Sequence, residues 1–116
     1  MGAPVAYFEI ISTDHERAQR FYAELFGWKV DADPAMAGYG MVSTGDDAVR
    51  GGIGPASAED GPGVRFYMRV DDLDAYLRTA EKLGGTAIVP PMDLDGGYGR
   101  IALFRDPDGN KVGLWS

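Results

Sequence analysis

The sequence predicts an α+β protein in which the order β-α-β-β-β occurs twice. The first observation is an internal repeat: residues 14–28, DHERAQRFYAELFGW, recur in weaker form as residues 71–85, DDLDAYLRTAEKLGG. Each copy follows a strand-like segment, opens on Asp and reaches a Gly thirteen residues later. The second observation is a segment rich in Pro, Gly and Ser near the midpoint, at residues 55–63. Two strand–helix units of equal length in one short chain indicate a duplicated fold.

The length of 116 residues and the hydrophobic content of 45% fit one folded domain with a real core. We therefore predict a single domain over residues 1–116. Its first module spans about 1–54, a linker occupies 55–63, and the second module spans about 64–116.

The first strand is predicted at residues 4–11 because apolar and polar side chains alternate there. Its apolar face consists of Ala6, Phe8 and Ile10. Tyr7 and Glu9 share the other face. We expect the apolar face to pack on a helix.

The first helix is predicted to begin at Thr13, which forms a capping-box pattern with Glu16. Five apolar residues fall at helical spacing and predict a core stripe: Ala18, Phe21, Tyr22, Leu25 and Phe26. His15 is expected in the first turn, facing water. Gly27 is expected to end the helix, since glycine adopts the left-handed conformation easily.

Three short strands complete the first module. The first begins at residue 28, and the other two lie at residues 39–43 and 48–53. Residues 31–38 contain Pro34 and are predicted as a loop. Gly51 and Gly52 interrupt the last strand. A pair of glycines there indicates a bulge or a close approach by another backbone.

The second module begins with a strand at residues 64–70. One predicted face is apolar and consists of Val64, Phe66, Met68 and Val70. The other is polar and consists of Arg65, Tyr67 and Arg69. A helix follows, with an apolar side of Leu73, Tyr76, Leu77, Ala80 and Leu83. A strand at 86–89 is expected to end at Pro90. The module closes with a hairpin of strands at 100–104 and 111–115 around a turn at 106–110.

The charge balance and the absence of cysteine exclude several classes of function. Eighteen acidic residues against eleven basic ones give a net charge of −7, whereas nucleic-acid binding needs a cationic face. The lack of cysteine excludes disulfides, thiolate metal sites and cysteine nucleophiles. No apolar run approaches membrane-spanning length, and no signal peptide is indicated. We therefore predict a cytoplasmic domain with no nucleic-acid or membrane partner.

Three segments together resemble the vicinal oxygen chelate superfamily, which includes glyoxalase I, bleomycin-resistance proteins and extradiol dioxygenases. They are YFEI with FYAELFGW in residues 7–28, VRFYMRVDDLDAY in 64–76, and FRDPDGNKVGLW in 104–115. The combination is specific, whereas FYAELFGW or DPDGN alone is a weak signal. The resemblance implies two βαβββ modules whose mixed sheet is cupped, with helices outside and a cleft commonly completed in a homodimer. Within the superfamily, the chain resembles the small glyoxalase-related proteins of unassigned activity.

Metal-dependent members of that superfamily hold a divalent ion with His and Glu side chains from four strands. The resemblance places these positions at Tyr7, near Gly51, at Arg65 and at Gly113. None can ligate as His or Glu does, because phenols rarely bind such ions, arginine has no lone pair to offer and glycine has no side chain. His15 is the only histidine in the chain. We therefore predict neither a metal nor another cofactor.

The favoured hypothesis is a metal-free protein that binds a small organic molecule in the cleft of a homodimer. Six residues are predicted ligand contacts: Tyr7, Glu9, Trp28, Arg65, Tyr67 and Arg69. Aromatic rings would stack on a flat ligand, and the Glu9 carboxylate would pair with a cation. The negative net charge would attract cationic ligands.

Two alternatives remain open. The chain could be a metal-independent lyase or isomerase acting on a small carbonyl compound, with Glu9 as the candidate catalytic base and Arg65 or Arg69 binding an oxyanion. It could also be a structural accessory module with a vestigial cleft. Simpler interpretations also exist for single residues: Glu9 and Arg65 would neutralise each other across the sheet, and Trp28 would serve packing.

Overall fold

Both predicted β-α-β-β-β series are present in the computed structural model, which describes residues 2–58 and 61–116. The first series comprises β1 (Val5–Ser12), α1 (His15–Phe26), β2 (Lys29–Asp33), β3 (Tyr39–Ser43) and β4 (Arg50–Pro55). The second comprises β5 (Gly63–Arg69), α2 (Leu73–Lys82), β6 (Thr86–Asp93), β7 (Arg100–Arg105) and β8 (Lys111–Trp115). Short 3₁₀ helices lie at Pro34–Met36 and Asp95–Gly97. The α+β fold class is confirmed.

The chain divides into two compact units. One is Tyr7–Val64, and the other combines residues 2–6 with Arg65–Ser116. The N-terminal residues belong to the second unit, where the backbone N–H of Arg69 donates to the carbonyl of Pro4 over 2.9 Å. Of the predicted linker, residues 59 and 60 lie outside the described residues, while Pro55 ends β4 and Gly63 begins β5.

The unit Tyr7–Val64 is a four-stranded half-sheet, in the order β2-β3-β4-β1, with α1 packed on one face. β1 and β4 run parallel, and the other neighbours are antiparallel. Ile10, Val42 and Ile53 are its buried core. Partly buried side chains close around them: Phe8, Ala18, Tyr22, Trp28 and Val30. We call the opposite face, which carries Tyr7 and Glu9 by strand alternation, the helix-free face of this half-sheet.

The second unit repeats this arrangement with the order β5-β8-β7-β6 and a parallel pair of β5 and β8. α2 places Leu73 and Leu77 in the core. The other buried members of the cluster are Val70, Ala102 and Leu114, with Met68 and Phe104 packed against them. By alternation, Arg65, Tyr67 and Arg69 lie on the helix-free face of this second half-sheet.

Both helices begin at an aspartate. The Asp14 side chain accepts a hydrogen bond from the backbone N–H of Arg17, so the cap is Asp14 and the predicted Thr13 cap is wrong. Asp72 caps α2 in the same way. Gly27 ends α1 in the left-handed conformation, with φ of 70°, as predicted. No helix in the described ranges has the length and hydropathy needed to cross a membrane.

The predicted core stripe of α1 is only partly correct. Ala18 and Tyr22 pack on the core, but Phe21, Leu25 and Phe26 are each more than half exposed. The buried residue of this helix is a polar one, Gln19. On α2 likewise, Leu73 and Leu77 are buried, whereas Tyr76 and Leu83 are exposed. Both helices thus bury a narrower stripe than their apolar residues offer.

Gln19 is buried because its amide joins α1 to two other segments. Its Nε2 donates to the carbonyl of Gly38 over 2.9 Å and to the carbonyl of Ile53 over 3.0 Å. The Gln19 amide and the Val30 side chain occupy the space into which a Cβ at Gly40 would point. Both donor hydrogens are used, so burial of this amide leaves neither of them unsatisfied.

Strand β6 does not end at the two prolines as predicted but continues through Pro90 and Pro91 to Asp93. It is the edge of its half-sheet and pairs with β7 alone. The register shifts between Ala87 and Val89 and again between Val89 and Met92. An edge position with such irregularities tolerates prolines, because their missing N–H groups break no inner ladder.

The turn between β7 and β8 is organised by Asp106. Its Oδ1 accepts the backbone N–H groups of Asp108 and Asn110, and its Oδ2 accepts the Asn110 side-chain amide. The hydrogen bonds from Asn110 keep the pKa of this exposed carboxyl below its ordinary value. The turn predicted at 106–110 is confirmed.

Candidate functional site

The helix-free face of the Tyr7–Val64 half-sheet carries a chain of three polar side chains. Tyr7 and Glu9 come from β1, and Tyr39 comes from β3. The Tyr39 hydroxyl donates to Oε2 of Glu9 over 2.7 Å, and the hydroxyls of Tyr7 and Tyr39 lie 2.9 Å apart. We call these three residues the Tyr7–Tyr39–Glu9 network.

The proton count gives the network a direction. A phenol has one hydrogen, and that of Tyr39 is donated to Glu9. The hydrogen between the two phenols therefore belongs to Tyr7, which donates to the Tyr39 oxygen. The thioether sulfur of Met41 lies 3.9 Å from the Tyr7 hydroxyl and is at most a weak additional acceptor. Donation thus runs from Tyr7 through Tyr39 to the carboxylate.

The position of Tyr39 depends on glycines in β4. Gly52 pairs with Met41 of β3 and with Glu9 of β1, so it lies between the strands that supply the network. A Cβ at Gly52 would overlap the Tyr39 ring and hydroxyl, and one at Gly54 would lie 2.5 Å from the same ring. Gly51 faces the other way, beneath the ring of Phe8. The groups closest to the glycine pair are side-chain rings, one on each face of the strand, and not the backbone predicted from the sequence.

The Tyr39 phenol resists ionisation. Its burial, with the negative charge of Glu9 and the proximity of Tyr7 adding to the effect, raises the pKa of Tyr39 far above the ordinary value of 10.0. A phenolate would lose hydration and would face the carboxylate. The proton that Tyr39 donates to Glu9 is therefore retained across the physiological pH range.

We expect this raised pKa to make the protein less stable in alkali. The unfolded chain releases the Tyr39 proton near pH 10.0, while the folded chain keeps it, so rising pH above that value favours unfolding. The free energy of unfolding should fall by up to about 1.4 kcal/mol per pH unit through this one group. Below that pH both states hold the proton and the contribution is constant.

Urea titrations between about pH 9 and about pH 11, on wild type and Tyr39→Phe, measure this effect. The wild type should lose stability more steeply above pH 10 than the variant. Parallel curves would contradict a protonated, partly buried Tyr39.

The helix-free face of the second half-sheet has different chemistry. The guanidinium of Arg69 lies 4.0 Å from the centroid of the Trp115 ring, in cation–π contact. The Trp115 indole N–H donates to the backbone carbonyl of Tyr98 over 2.7 Å. Tyr67 is buried, and its ring fills the space above Gly113, its partner in β8. Aromatic rings and cations dominate this face.

The structure brings some predicted site residues together and separates another from them. Tyr7 and Glu9 meet through Tyr39, which sequence reasoning missed. Trp28 lies on the helix side of its half-sheet, where its ring stacks on Tyr22 at 5.6 Å and contacts Phe8 at 5.5 Å. The simpler interpretation, packing, thus describes its position, and Trp28 does not share a face with Tyr7 and Glu9.

The signal for Tyr39 was the spacing of glycines in β4. Gly52 and Gly54 occupy alternate positions, so both lie on one face and leave it bare. A bare face on a central strand indicates that a large neighbouring side chain covers it.

The positions that the resemblance assigns to metal ligands do not fit a metal. Gly51 faces the helix side of the half-sheet. The neighbouring position that faces the helix-free side is Gly52, and the Tyr39 ring covers it. The space at Gly113 is filled by the Tyr67 ring in the same manner. In the parts of the chain that the structure describes, no three His, Asp or Glu side chains lie together as metal ligands. Phenols and a guanidinium are a poor donor set for a divalent ion.

Comparison with known proteins identifies the family. The model of the Glyoxalase/Bleomycin resistance protein/Dioxygenase superfamily matches residues 5–114. The chain belongs to this superfamily. The resemblance drawn from the sequence is thereby confirmed.

Two relatives show how the superfamily match extends along the chain. A glyoxylase-like domain-containing protein of Didymella fabae is 33% identical over 113 residues, which are 91% of this chain and 88% of that protein. The anthracycline biosynthesis protein DnrV of Streptomyces peucetius is 35% identical over 130 residues, with 98% of this chain covered. The chain spans only 46% of DnrV and 44% of two mycobacterial relatives.

Solved structures of the superfamily share the fold. Methylmalonyl-CoA epimerase from Mycobacterium tuberculosis matches with a TM-score of 0.66 at 18% identity, covering 96% of this chain and 85% of the epimerase chain. A glyoxalase/bleomycin resistance protein/dioxygenase superfamily member from Vibrio splendidus matches with a TM-score of 0.63, also at 18% identity, covering 97% of each chain. At such identity the likeness concerns the fold alone.

Proposed function

We propose that this superfamily member binds a small organic molecule on its helix-free sheet surface, without a metal, and acts as a homodimer. The observation that carries the proposal is the Tyr7–Tyr39–Glu9 network, in which two phenols and a carboxylate are fixed by hydrogen bonds of 2.7 and 2.9 Å. Polar groups held in place beside aromatic rings are what small-molecule sites offer. Arg65, Tyr67 and Arg69 are proposed as further ligand contacts on their own half-sheet.

A flat aromatic ligand with a positive charge is the favoured type. Tyr7 provides an aromatic surface next to the Glu9 carboxylate, and the net charge of −7 attracts cations. The name of the relative DnrV, an anthracycline biosynthesis protein, supports a planar polycyclic ligand. This support comes from the relative and extends to the present chain only as part of the proposal.

The binding proposal predicts that Glu9 decides affinity for such a ligand. The anthracycline daunorubicin, which is planar and carries a protonated amine, serves as the probe in calorimetric titrations. Glu9→Gln should weaken its binding by about tenfold or more, because a charge-assisted hydrogen bond is lost. Glu24→Gln, which changes an exposed carboxylate on α1, is the matched control and should bind like wild type. Equal affinities of all three proteins would contradict a role for Glu9.

The second candidate is a metal-independent lyase or isomerase acting on a small carbonyl compound. The observation that favours it is the proton path from Tyr7 through Tyr39 to Glu9, since a carboxylate hydrogen-bonded to phenols can exchange a proton with a substrate. In this proposal Glu9 is the catalytic base. Mass spectrometry of carbonyl compounds after incubation separates the two: conversion that Glu9→Gln abolishes indicates the enzyme, and unchanged recovery indicates binding only.

The homodimer is supported by exposed apolar surface on α1. Phe21, Leu25 and Phe26 are each more than half exposed, and large apolar groups grouped in this way favour a protein contact. Sedimentation at micromolar concentration should show twice the 12.5 kDa mass of one chain, and Phe21→Glu should shift it toward the single chain. A single-chain mass for the wild type would contradict this part of the proposal. The predicted cytoplasmic location also belongs to the proposal.

A further inference from the structure

We infer that the second unit has a binding site of its own for a neutral aromatic molecule, in a cavity between α2 and the half-sheet of that unit. The cavity lies on the helix side of the half-sheet, whereas the proposed function concerns the helix-free side. The two sites can therefore be tested separately.

The cavity has the size and the lining of a small-molecule site. Its volume is about 360 Å³, and its lining is almost entirely apolar. Sites for small organic molecules commonly measure about 300–1,000 Å³ and are mostly apolar. Three lining residues come from α2 and its C-terminal end and three from the half-sheet: Tyr76, Ala80, Leu83, Met68, Phe104 and Leu114. Tyr76 and Leu83 are exposed, so a molecule seated here would remove apolar surface from water.

The cavity coincides with a difference between the two copies of the internal repeat. In the alignment of residues 14–28 with 71–85, three aromatic residues are replaced by smaller ones that line the cavity: Tyr22 by Thr79, Phe26 by Leu83 and Trp28 by Gly85. Alignment on the helix caps, Asp14 and Asp72, pairs Tyr22 with Ala80, which also lines the cavity. The second unit thus lacks, beside its helix, the rings that the first unit has.

In the first unit, these rings pack on one another. The planes of the Tyr22 and Trp28 rings are 12° apart, with centroids separated by 5.6 Å, and the Phe26 ring lies 5.2 Å from that of Trp28. A free aromatic molecule would take the place of these rings in the second unit and would contact Phe104 there. Residue 85 cannot supply a ring on this backbone, because a Cβ at Gly85 would lie 2.7 Å from the carbonyl oxygen of Arg105.

The polar groups at the cavity favour an uncharged molecule. Asp106 borders the cavity, and its carboxylate would repel an anion. A cation would lose hydration among the apolar side chains, and the Asp106 oxygens already accept the hydrogen bonds of the turn. The Thr79 hydroxyl is used as well, since it donates to the carbonyl of Ala75 over 3.0 Å. A neutral ring meets neither the repulsion nor the loss of hydration.

Indole, which is the ring of a tryptophan side chain as a free molecule, serves as the probe. Calorimetric titration of the wild type at neutral pH should give a dissociation constant below about 1 mM. Indole-3-carboxylate, the anion with the same ring, should bind about tenfold or more weakly, and tryptamine, the cation, should bind no more tightly than indole. Nuclear Overhauser effects should connect indole with the methyl groups of Met68, Leu83 and Leu114, which locates the ligand without any mutation.

Ala80→Phe would place a ring in the cavity and should weaken indole binding about tenfold or more. Glu81→Phe adds the same ring at the next residue of α2, which is exposed and outside the lining, and should bind indole like wild type. If Ala80→Phe did not fold, the Overhauser effects in the wild type would decide alone.

Four results would overturn the inference: no binding of indole, Overhauser effects only to residues elsewhere, unchanged affinity in Ala80→Phe, or tighter binding of tryptamine than of indole. A change of sedimentation mass in Ala80→Phe would identify the cavity as a contact with a second copy of the chain and would overturn it too. None of these results bears on the helix-free face, so the proposed function would stand or fall by its own experiments.

Discussion

Gly52→Ala should lower the free energy of unfolding by about 2–3 kcal/mol and separate Tyr39 from Glu9. The added methyl group would occupy space that the Tyr39 ring and hydroxyl already fill. Gly52 is buried between β1 and β3, so the backbone has little freedom to yield. The ring would have to leave its position, and the 2.7 Å hydrogen bond to Glu9 would break.

Urea denaturation followed by tryptophan fluorescence measures the loss of stability. Gly63→Ala is the matched control, because a Cβ at that position meets nothing within 4 Å and its φ lies outside the positive range that side chains rarely adopt. The same glycine-to-alanine change should there cost less than about 0.5 kcal/mol. Daunorubicin binding should also weaken in Gly52→Ala and persist in Gly63→Ala. Equal stabilities of the two variants would show that Tyr39 has other positions open to it.

Ile53→Ala should destabilise the protein by about 3–4 kcal/mol. Ile53 is 0% exposed and packs with Ile10 and Val42 at the centre of its unit. Truncation removes apolar contacts and leaves a cavity that rigid strands on either side cannot close.

A graded series tests this assignment. Ile53→Val, which removes one methyl group, should cost about 1 kcal/mol, and Val64→Ala, at a residue that is 72% exposed, should cost less than about 0.5 kcal/mol. If Ile53→Ala cost no more than Val64→Ala, the core of this unit would not be centred on β4.

Strand positions were the most predictable part of the fold, because alternation is a local property. The bounds of β3 and β8 agree with the sequence interpretation residue for residue. The width of the buried stripe on each helix was harder to predict. Periodicity identifies the side of α1 that faces the sheet, but Phe21 and Leu25 show that the width of the buried stripe depends on how closely the helix approaches.

Polar exceptions to the pattern also escaped prediction. Gln19 lies in the core because two carbonyls, from Gly38 and Ile53, happen to be within reach of its amide. Those partners are far away in sequence, so no local pattern reveals them. The passage of β6 through Pro90 was missed for a similar reason, since an edge position becomes known only once the strand order is.

The candidate site followed from sequence as far as one strand allows. Tyr7 and Glu9 were placed on one face by alternation within β1. Tyr39 required the register of β3 against β4, in which Met41 pairs with Gly52, and that register is a non-local property. The face on which Trp28 lies could not be read from the sequence, because an aromatic residue just before a strand can turn to either side of the sheet.

The three glycines of strand β4 make side chains that are distant in the sequence depend on one another. The Phe8 ring covers Gly51 on one face of the strand, and the Tyr39 ring covers Gly52 and Gly54 on the other. Side chains of neighbouring strands therefore fill the space at these glycines. A bulkier residue at 52 becomes tolerable only when residue 39 shrinks, and a smaller residue at 39 opens a void unless 52 grows. In homologous chains, residues 39 and 52 should therefore change together. Where the ring at 39 is lost, a side chain should appear on β4 in place of a glycine.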